Sequence, residues 1–386
     1  MRRIAIVVHN RANFARVKSV ILNLLKNHQN VHTKVILASS SLIRNYGDLE
    51  NDVRALNLDF SRVYNLVSGD RTLTMVKTTG LAMLDLCQEF ENYHPDIVVS
   101  IADRHETLAT VVAASYMNIP VAHIQGGEIS GSIDESVRHA CTKLSHLHFP
   151  ATDRAARIIE QMGENKENIF NFGCPSLDLL KTGKIEEFVI KDLLKKNGGV
   201  GPELSISNGF LLVVQHPVTT HYQTAEFENQ ELLEAVKKIS LPTVWLWPNV
   251  DTGSELISAH IRRAREKDPS LPIRFYTNFS PEDYGIILNA SSCILGNSSS
   301  GIRESSFLGV PSVTLGDRQA GREKGDNTLT VEYRREDIVD AVQKQISNGR
   351  FPASNIYGKG LAGVKIAEVL ANTSIKVEKR FSILNF

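Results

Sequence analysis

Apolar and polar positions along this chain follow two alternating rhythms. Residues 4–8, Ile4-Ala5-Ile6-Val7-Val8, form the continuous apolar run that a parallel strand buried on both faces requires, and 13–25 then carry apolar side chains at helical spacing. The same patterns predict strands at 34–38, 96–102, 120–125 and, briefly, 146–150, with helices at 72–90, 105–117, 133–144 and 153–162. Near Gly173-Cys174-Pro175 the rhythm loosens, and 181–203 is polar, charged and glycine-bearing, which predicts a linker. A second series follows, with strands at 209–215, 242–247, 273–276, 293–295 and 311–315 and helices between them. Further helices are predicted at 335–345 and 363–371. Strands alternating with helices mean βαβ units and parallel sheets, so the expected fold class is α/β, doubly wound. Two such halves place a cleft between them, where small-molecule sites form. The expected domains are 1–180 and 181–362, with the C-terminal segment, 363–386, packing back on the first.

Length and charge narrow the picture. At 386 residues the chain exceeds what one core supports, and 42% hydrophobic with 22% charged residues is ordinary for a soluble globular protein. Lys+Arg and Asp+Glu both number 43, so no global field draws the chain to nucleic acid or to an anionic membrane. Any phosphate must be held locally. Cys87, Cys141, Cys174 and Cys293 stand far apart in or beside apolar runs, without CxxC or metal spacing, which predicts buried thiols in a reducing compartment. The apolar run after Met1-Arg2-Arg3 is too short for a signal segment, and no stretch is long enough to span a bilayer. A cytoplasmic location is expected. Neither GxGxxG nor a Walker-type GxxxxGK[ST] occurs, against a nicotinamide enzyme and an ATPase.

Candidate chemistry collects where predicted strands end. Gly296-Asn297-Ser298-Ser299-Ser300-Gly301 follows a strand and leads into a helix, an order that points N–H groups at an anion. Glu304 has the wrong charge for phosphate but suits ribose hydroxyls. A tight turn with a serine cap is the competing reading. Arg11 lies in the first βα loop, as a ligand contact or a solvated residue. Asp103 either starts a helix, in a capping box with Glu106, or places a carboxylate at the mouth of the cleft. Gly126-Gly127 lets backbone approach a ligand closely, with Glu128 beside it. Ser132 and Glu135 form a second capping pattern, and Asp134 and Arg138 stand at i, i+4, the spacing of a surface ion pair. Three carboxylates on neighbouring loops suit proton transfer at two faces of a sugar ring. His216, before Pro217, is a structural residue or a diphosphate contact and acid. Asn249 to Ser254 end the next strand with hydrogen-bonding groups, and Gly316 to Arg322 add two guanidiniums fit for phosphate.

These motifs together carry a resemblance. Arg11, Asp103-Arg104, Gly126-Gly127-Glu128, Asp134-Glu135 with Arg138-His139, His216-Pro217, Asp251-Thr252-Gly253-Ser254, 296–304 and Gly316-Asp317-Arg318-Gln319 fall in the order seen in hydrolysing UDP-sugar 2-epimerases. The chain resembles that family over nearly its whole length. Arg11-Ala12-Asn13-Phe14 and the stretches 122–128, 131–136 and 247–251 are most similar to the branch acting on N,N′-diacetylbacillosamine nucleotides in legionaminic acid synthesis. The N-acetylglucosamine branch has an acidic residue and tyrosine where this chain has Asn13 and Phe14, and a glycine where His9-Asn10 precedes Arg11. Those differences bear on the sugar, not on the fold.

The resemblance implies the GT-B fold, two Rossmann-like domains with the nucleotide in the cleft. The first is the sugar and acid/base side, the second binds nucleotide, and a C-terminal helix returns to the first. The implied reaction removes the nucleotide diphosphate from C1 and the proton from C2, giving a 2-acetamido glycal. Water then adds and leaves the free sugar with C2 inverted, here 2,4-diacetamido-2,4,6-trideoxymannose. Asp103, Glu128 and Asp134 are nominated for the proton transfers, without deciding which removes the C2 proton. Arg11, His216 and Arg322 would offset charge on the leaving diphosphate. Ser298, Ser299 and Gly301 would hold phosphate, Glu304 the ribose, and Asn249 and Asp251 other substrate groups. No metal or redox cofactor is implied, and the partners are a nucleotide sugar, water and further copies in a homodimer or homotetramer. Rival readings are hydrolytic action on UDP-N-acetylglucosamine or on the GDP-linked sugar, a non-hydrolysing 2-epimerase, a GT-B glycosyltransferase and a nucleotide-sugar sensor.

Overall fold

Strand β1 (Arg2–Val8) shows how the first half is built. Its side chains alternate between two faces: Ile4, Ile6 and Val8 join one apolar cluster, and Ala5 and Val7 join another. The structure, a computed structural model, describes residues 1–43, 49–67, 69, 72–218, 222–248, 258–259, 262–263, 266 and 268–383. The chain divides into two compact units, the first Met1–Ile129, Ile133–Asp178 and Tyr357–Phe386, the second Ser130–Ser132 and Leu179–Ile356.

In the first unit β1, β2 (Val31–Ala38), β3 (Asp59–Val63), β4 (Ile97–Ile101), β5 (Val121–Ile124) and β6 (Leu147–Phe149) pair in parallel in the order β3-β2-β1-β4-β5-β6. Helices α1 (Arg11–Asn27), α2 (Glu50–Arg54), α3 (Thr72–Tyr93), α4 (His105–Tyr116), α5 (Asp134–Leu144) and α6 (Asp153–Gln161) follow their strands. Phe14, Val17, Ile21 and Leu24 of α1 cover one face, while Leu86 and Phe90 of α3 and Ala109 and Val111 of α4 cover the other.

The second unit repeats the plan with β7 (Leu211–Val214), β8 (Thr243–Leu246), β9 (Ile273–Tyr276), β10 (Cys293–Gly296), β11 (Ser312–Leu315) and β12 (Thr328–Val331), ordered β12-β11-β10-β7-β8-β9. Its helices are α7 (Glu187–Lys196), α8 (Ala225–Ile239), α9 (Pro281–Ala290), α10 (Arg303–Leu308) and α11 (Arg335–Asn348). Counted from the first strand of each sheet, the two orders are the same, that of the doubly wound α/β fold.

Two strands and two helices depart from the sequence reading. β3 and β12 each lie at an outer edge of their sheet and carry no long apolar run, and the short α2 buries one side chain, Val53. The predicted linker at 181–203 contains α7, whose Ile190 and Leu194, one turn apart, enter the core beneath Leu212 and Val214. Its lysines face outward and hid that stripe.

The last helix, α12 (Ala362–Asn372), packs Ile366, Ala367 and Leu370 into the α1 side of the first unit. Asp178 accepts from the backbone N–H of Ala362 at 3.0 Å and of Gly363 at 2.6 Å, a carboxylate at the positive end of the helix. Arg2 closes the other end on the carbonyl of Thr373 at 2.7 Å. Only glycine fits at 363, where a Cβ would lie 2.1 Å from Ser19 Oγ. Cys141, Cys174 and Cys293 are buried free thiols as expected, while Cys87, also free, is half-buried. Among the described residues no helix is long and apolar enough to cross a membrane.

Beyond α12 the tail is held by Lys379, whose ammonium donates to the carbonyls of Lys143 at 2.6 Å and Ser145 at 2.7 Å, at the end of α5. It also pairs at 2.6 Å with Glu164, a 2% exposed carboxylate that accepts from Lys143 at 2.6 Å and His148 Nε2 at 3.0 Å. Burial raises the Glu164 carboxyl, but the hydrogen bonds from His148, Lys143 and Lys379 outweigh it and hold the group at about 2. A carboxyl lowered on folding stabilises the protein above its unfolded value, and that contribution is lost as pH falls through the folded value. Glu164→Gln should therefore remove up to about 3 kcal/mol near neutral pH, by denaturant unfolding, and flatten the stability loss between roughly pH 4.5 and 2. An unchanged acid limb would show that Glu164 does not lock the tail.

Candidate active site

Because every strand of the first sheet is parallel, the carboxyl ends of β1, β4 and β5 stand side by side at one edge. The order reverses between β1 and β4, the switch point at which such sheets take ligands. Arg11 is the first residue of α1 and half-buried, Asp103 follows β4, Glu128 follows β5, and Asp134 is the half-buried first residue of α5. The structure thus gathers the four first-unit candidates on neighbouring loops.

Neither capping pattern forms. The cap residue of α4 is Arg104 and that of α5 is Ile133, and neither cap has a side-chain hydrogen bond. Glu106 is instead buried and accepts from Arg104 Nε and Nη2, both at 3.2 Å. Burial raises its carboxyl, yet the charges of Arg104, His105 and His9 prevail and hold it at about 2. Asp103 turns to α5, accepting on Oδ2 from Arg138 Nε at 3.0 Å and from Arg138 Nη2. Arg138, read from spacing as a surface partner, is fully buried, and its Nη1 donates to the Glu128 carbonyl.

The glycines after β5 serve close packing. A Cβ on Gly126 would lie 2.8 Å from Thr142 Oγ1 and 3.0 Å from His123 Nδ1, and one on Gly127, at φ +78°, 2.3 Å from the Ala155 carbonyl oxygen. That packing delivers Glu128 with its side chain only 5% exposed. His123 is buried and pushed down to about 4 by burial, so the ring is neutral and its Nε2 donates to the Ala102 carbonyl at 2.7 Å. Asn13 and Phe14 are also buried. Asn13 donates to the Ile101 carbonyl at 3.3 Å and accepts from His9 N–H at 3.3 Å, tying the ends of β4 and β1 together.

In the second sheet the corresponding edge joins β7, β10 and β11, and Asn297 is its hub. Its buried amide accepts from His216 N–H at 2.9 Å and donates to the His216 carbonyl at 2.7 Å, continuing the ladder between β7 and β10 by one side chain. Its own carbonyl accepts from Arg318 Nη1 at 3.0 Å and Gln319 Nε2 at 2.8 Å, which fastens the turn after β11. The Tyr333 hydroxyl accepts from Gln215 at 2.7 Å and Asn297 at 3.2 Å, and burial raises the phenol, so it stays neutral. Ser298 caps a short 3-10 turn, Ser299–Gly301, accepting from Ser300 N–H at 3.3 Å, so the serine-capped turn is real. Ser298 and Ser299 remain half-buried at the edge, Gly301 is buried, and Glu304 is half-buried on α10. His216 is 5% exposed and Arg322 half-buried in the turn after β11. Asn249 and Asp251 lie outside the described residues. Among the described residues no cluster of three or more His, Cys, Asp or Glu is arranged to hold a metal ion.

Sequence reasoning gave no role to Asn297, Tyr333, Gln215 or His123, and misplaced Arg138. The signal for Arg138 was there, since it shares a helical face with Cys141 and Thr142, both buried. Nothing local marks Tyr333, whose partners are far away in sequence.

Two doubly wound units with polar groups at the carboxyl edges of their sheets define an α/β protein of GT-B type. A solved structure of UDP-GlcNAc 2-epimerase from Methanocaldococcus jannaschii, in complex with UDP-GlcNAc and UDP, shares the fold at a TM-score of 0.76 and 19% identity, covering 95% of this chain and 99% of that one. The chain belongs to the UDP-N-acetylglucosamine 2-epimerase family, which it matches over residues 23–371. It is 30% identical over 371 residues to the hydrolyzing UDP-N,N′-diacetylbacillosamine 2-epimerase of Legionella pneumophila, covering 96% of both chains. It is 29% identical over 394 residues to a UDP-N-acetylglucosamine 2-epimerase of Neisseria meningitidis serogroup B, covering 100% of both.

Gly296 gives the sharpest test of the second edge. Its φ is +132°, and a Cβ there would lie 2.3 Å from the Val214 carbonyl oxygen. Gly296→Ala should cost about 2 kcal/mol or more and lower the melting temperature by several degrees. Calorimetry showing unchanged melting would contradict the close packing of β10 on β7.

Proposed function

We propose that this protein is a hydrolysing 2-epimerase that converts UDP-N,N′-diacetylbacillosamine to UDP and 2,4-diacetamido-2,4,6-trideoxymannose. The observation that carries the reading is the 30% identity to the Legionella relative across 96% of both chains. The first unit, with α12 packed on it, is the sugar side, and the second the nucleotide side. Ser298, Ser299 and Gly301 hold the diphosphate, Glu304 the ribose, and His216, Arg322 and Arg11 offset the charge that grows on the leaving group. Asn249 and Asp251 complete the substrate contacts.

One carboxylate of the first edge takes the C2 proton. The C2–H electron pair becomes the C1=C2 bond, and the C1–O pair leaves with UDP. A second carboxylic acid delivers a proton to the opposite face of C2, while water adds its hydroxyl to C1 and gives its remaining proton to the carboxylate so formed. Asp103, Glu128 and Asp134 supply these groups, since base and acid on two faces need separate, fixed side chains. The Neisseria relative, 29% identical over both whole chains, supports UDP-N-acetylglucosamine as the second substrate to try.

Incubation with each nucleotide sugar in deuterated water, followed by NMR, tests the reading. Free 2-epimerised diacetamido sugar with deuterium at C2, formed faster than N-acetylmannosamine, is the expected product. Nucleotide sugar returned intact as an epimer mixture, or consumed only with an acceptor present, would sink it.

A further inference from the structure

We propose that Arg138 is the positioning residue of the first edge, holding Asp103 as a permanent carboxylate, so that the protons are carried by Glu128 and Asp134. The inference rests on the 2-epimerase reading of that edge. A single buried guanidinium links three elements there: it is carried by α5, two of its nitrogens donate to Asp103 after β4, and the third donates to the Glu128 carbonyl after β5. The fork is planar and rigid, so its bonds fix direction as well as distance.

Two charge-assisted donors on one carboxylate oxygen favour the ionised form. Protonating Asp103 would set a buried guanidinium against a neutral acid, a change that buried ion pairs resist strongly. A group that must gain and lose a proton in each turnover is ill served by such a partner. Glu128 is held differently, with its backbone carbonyl accepting from the guanidinium, which places the residue. Asp134 sits one turn before Arg138 on the same helix.

A second tie supports the first. Thr142, one turn after Arg138, lies 3.1 Å from the Arg138 carbonyl and 3.4 Å from His123 Nδ1, and His123 Nε2 binds the Ala102 carbonyl at 2.7 Å. Ala102, left-handed at φ +62°, immediately precedes Asp103. Backbone and side chain of Asp103 are therefore both referred to α5 and β5, and Gly126 leaves the space that this contact needs.

Turnover and C2 deuterium incorporation are measured for R138K, D103N and R138K/D103N with UDP-N,N′-diacetylbacillosamine and with UDP-N-acetylglucosamine. Beside them runs a thermal-unfolding cycle of R138M, D103N and R138M/D103N, which needs no substrate. R138K should keep KM within about threefold and lose kcat by about 100-fold, with R138K/D103N no slower than D103N. D103N should keep both limbs of the wild-type pH profile of kcat/KM at a reduced rate. The melting loss of R138M/D103N should be smaller than the sum of the two single losses. Multiplicative rate losses, a missing pH limb in D103N or additive melting losses would each overturn the inference. An intact epimerised nucleotide sugar from the wild type would sink the hydrolytic reading and leave the Arg138–Asp103 coupling readable. Without turnover of either sugar, the melting cycle decides.

Discussion

A parallel sheet presents all its strand carboxyl ends at one edge, and both sheets of this chain are parallel throughout. Residues far apart in sequence therefore become neighbours without any dedicated contact between them. Arg11, Asp103 and Glu128 follow β1, β4 and β5, which are adjacent in the first sheet, and His216, Ser298 and Arg322 follow β7, β10 and β11, adjacent in the second. The candidate chemistry of each unit is a consequence of strand order before it is a consequence of any side chain.

Strand order alone leaves loops free to splay, and in each edge a buried polar residue ties several of them together. In the second unit Asn297 mimics a backbone peptide toward His216 and offers its own carbonyl to the turn after β11. In the first unit Arg138 does the same with charge, joining α5 to the loops after β4 and β5. The hub of the second edge is neutral, and that of the first is a guanidinium paired with the Asp103 carboxylate.

Much of the fold was legible because inner parallel strands announce themselves: β1 and β7 bury continuous apolar runs, and β4 does so with the buried Ser100 among its apolar residues. β3, Asp59–Val63, with mostly half-exposed side chains, and β12, Thr328–Val331, lie at sheet edges and give no such run. Charge density in 181–203 concealed α7, because two buried residues one turn apart are a thin stripe. At the site, Gly126-Gly127 was read as letting backbone approach a ligand, and the neighbours the two glycines meet are His123, Thr142 and Ala155. The capping patterns at Asp103 and Ser132 misled, since short-range spacing cannot show that Asp103 has a buried arginine 35 residues away as its partner. Asn13 and Phe14, read from the sequence as bearing on the sugar, are buried and serve packing and strand-end hydrogen bonds.

The division of labour between the two edges is tested most directly by measuring UDP affinity by calorimetry and kcat by UDP release in the same variants. For Glu128→Gln and Asp134→Asn, UDP binding should stay within about threefold of wild type while kcat falls by at least about 100-fold. For Ser298→Ala and Glu304→Gln, UDP binding should weaken by about tenfold. Loss of UDP affinity in the first pair equal to that in the second, or full turnover by Glu128→Gln and Asp134→Asn, would contradict it.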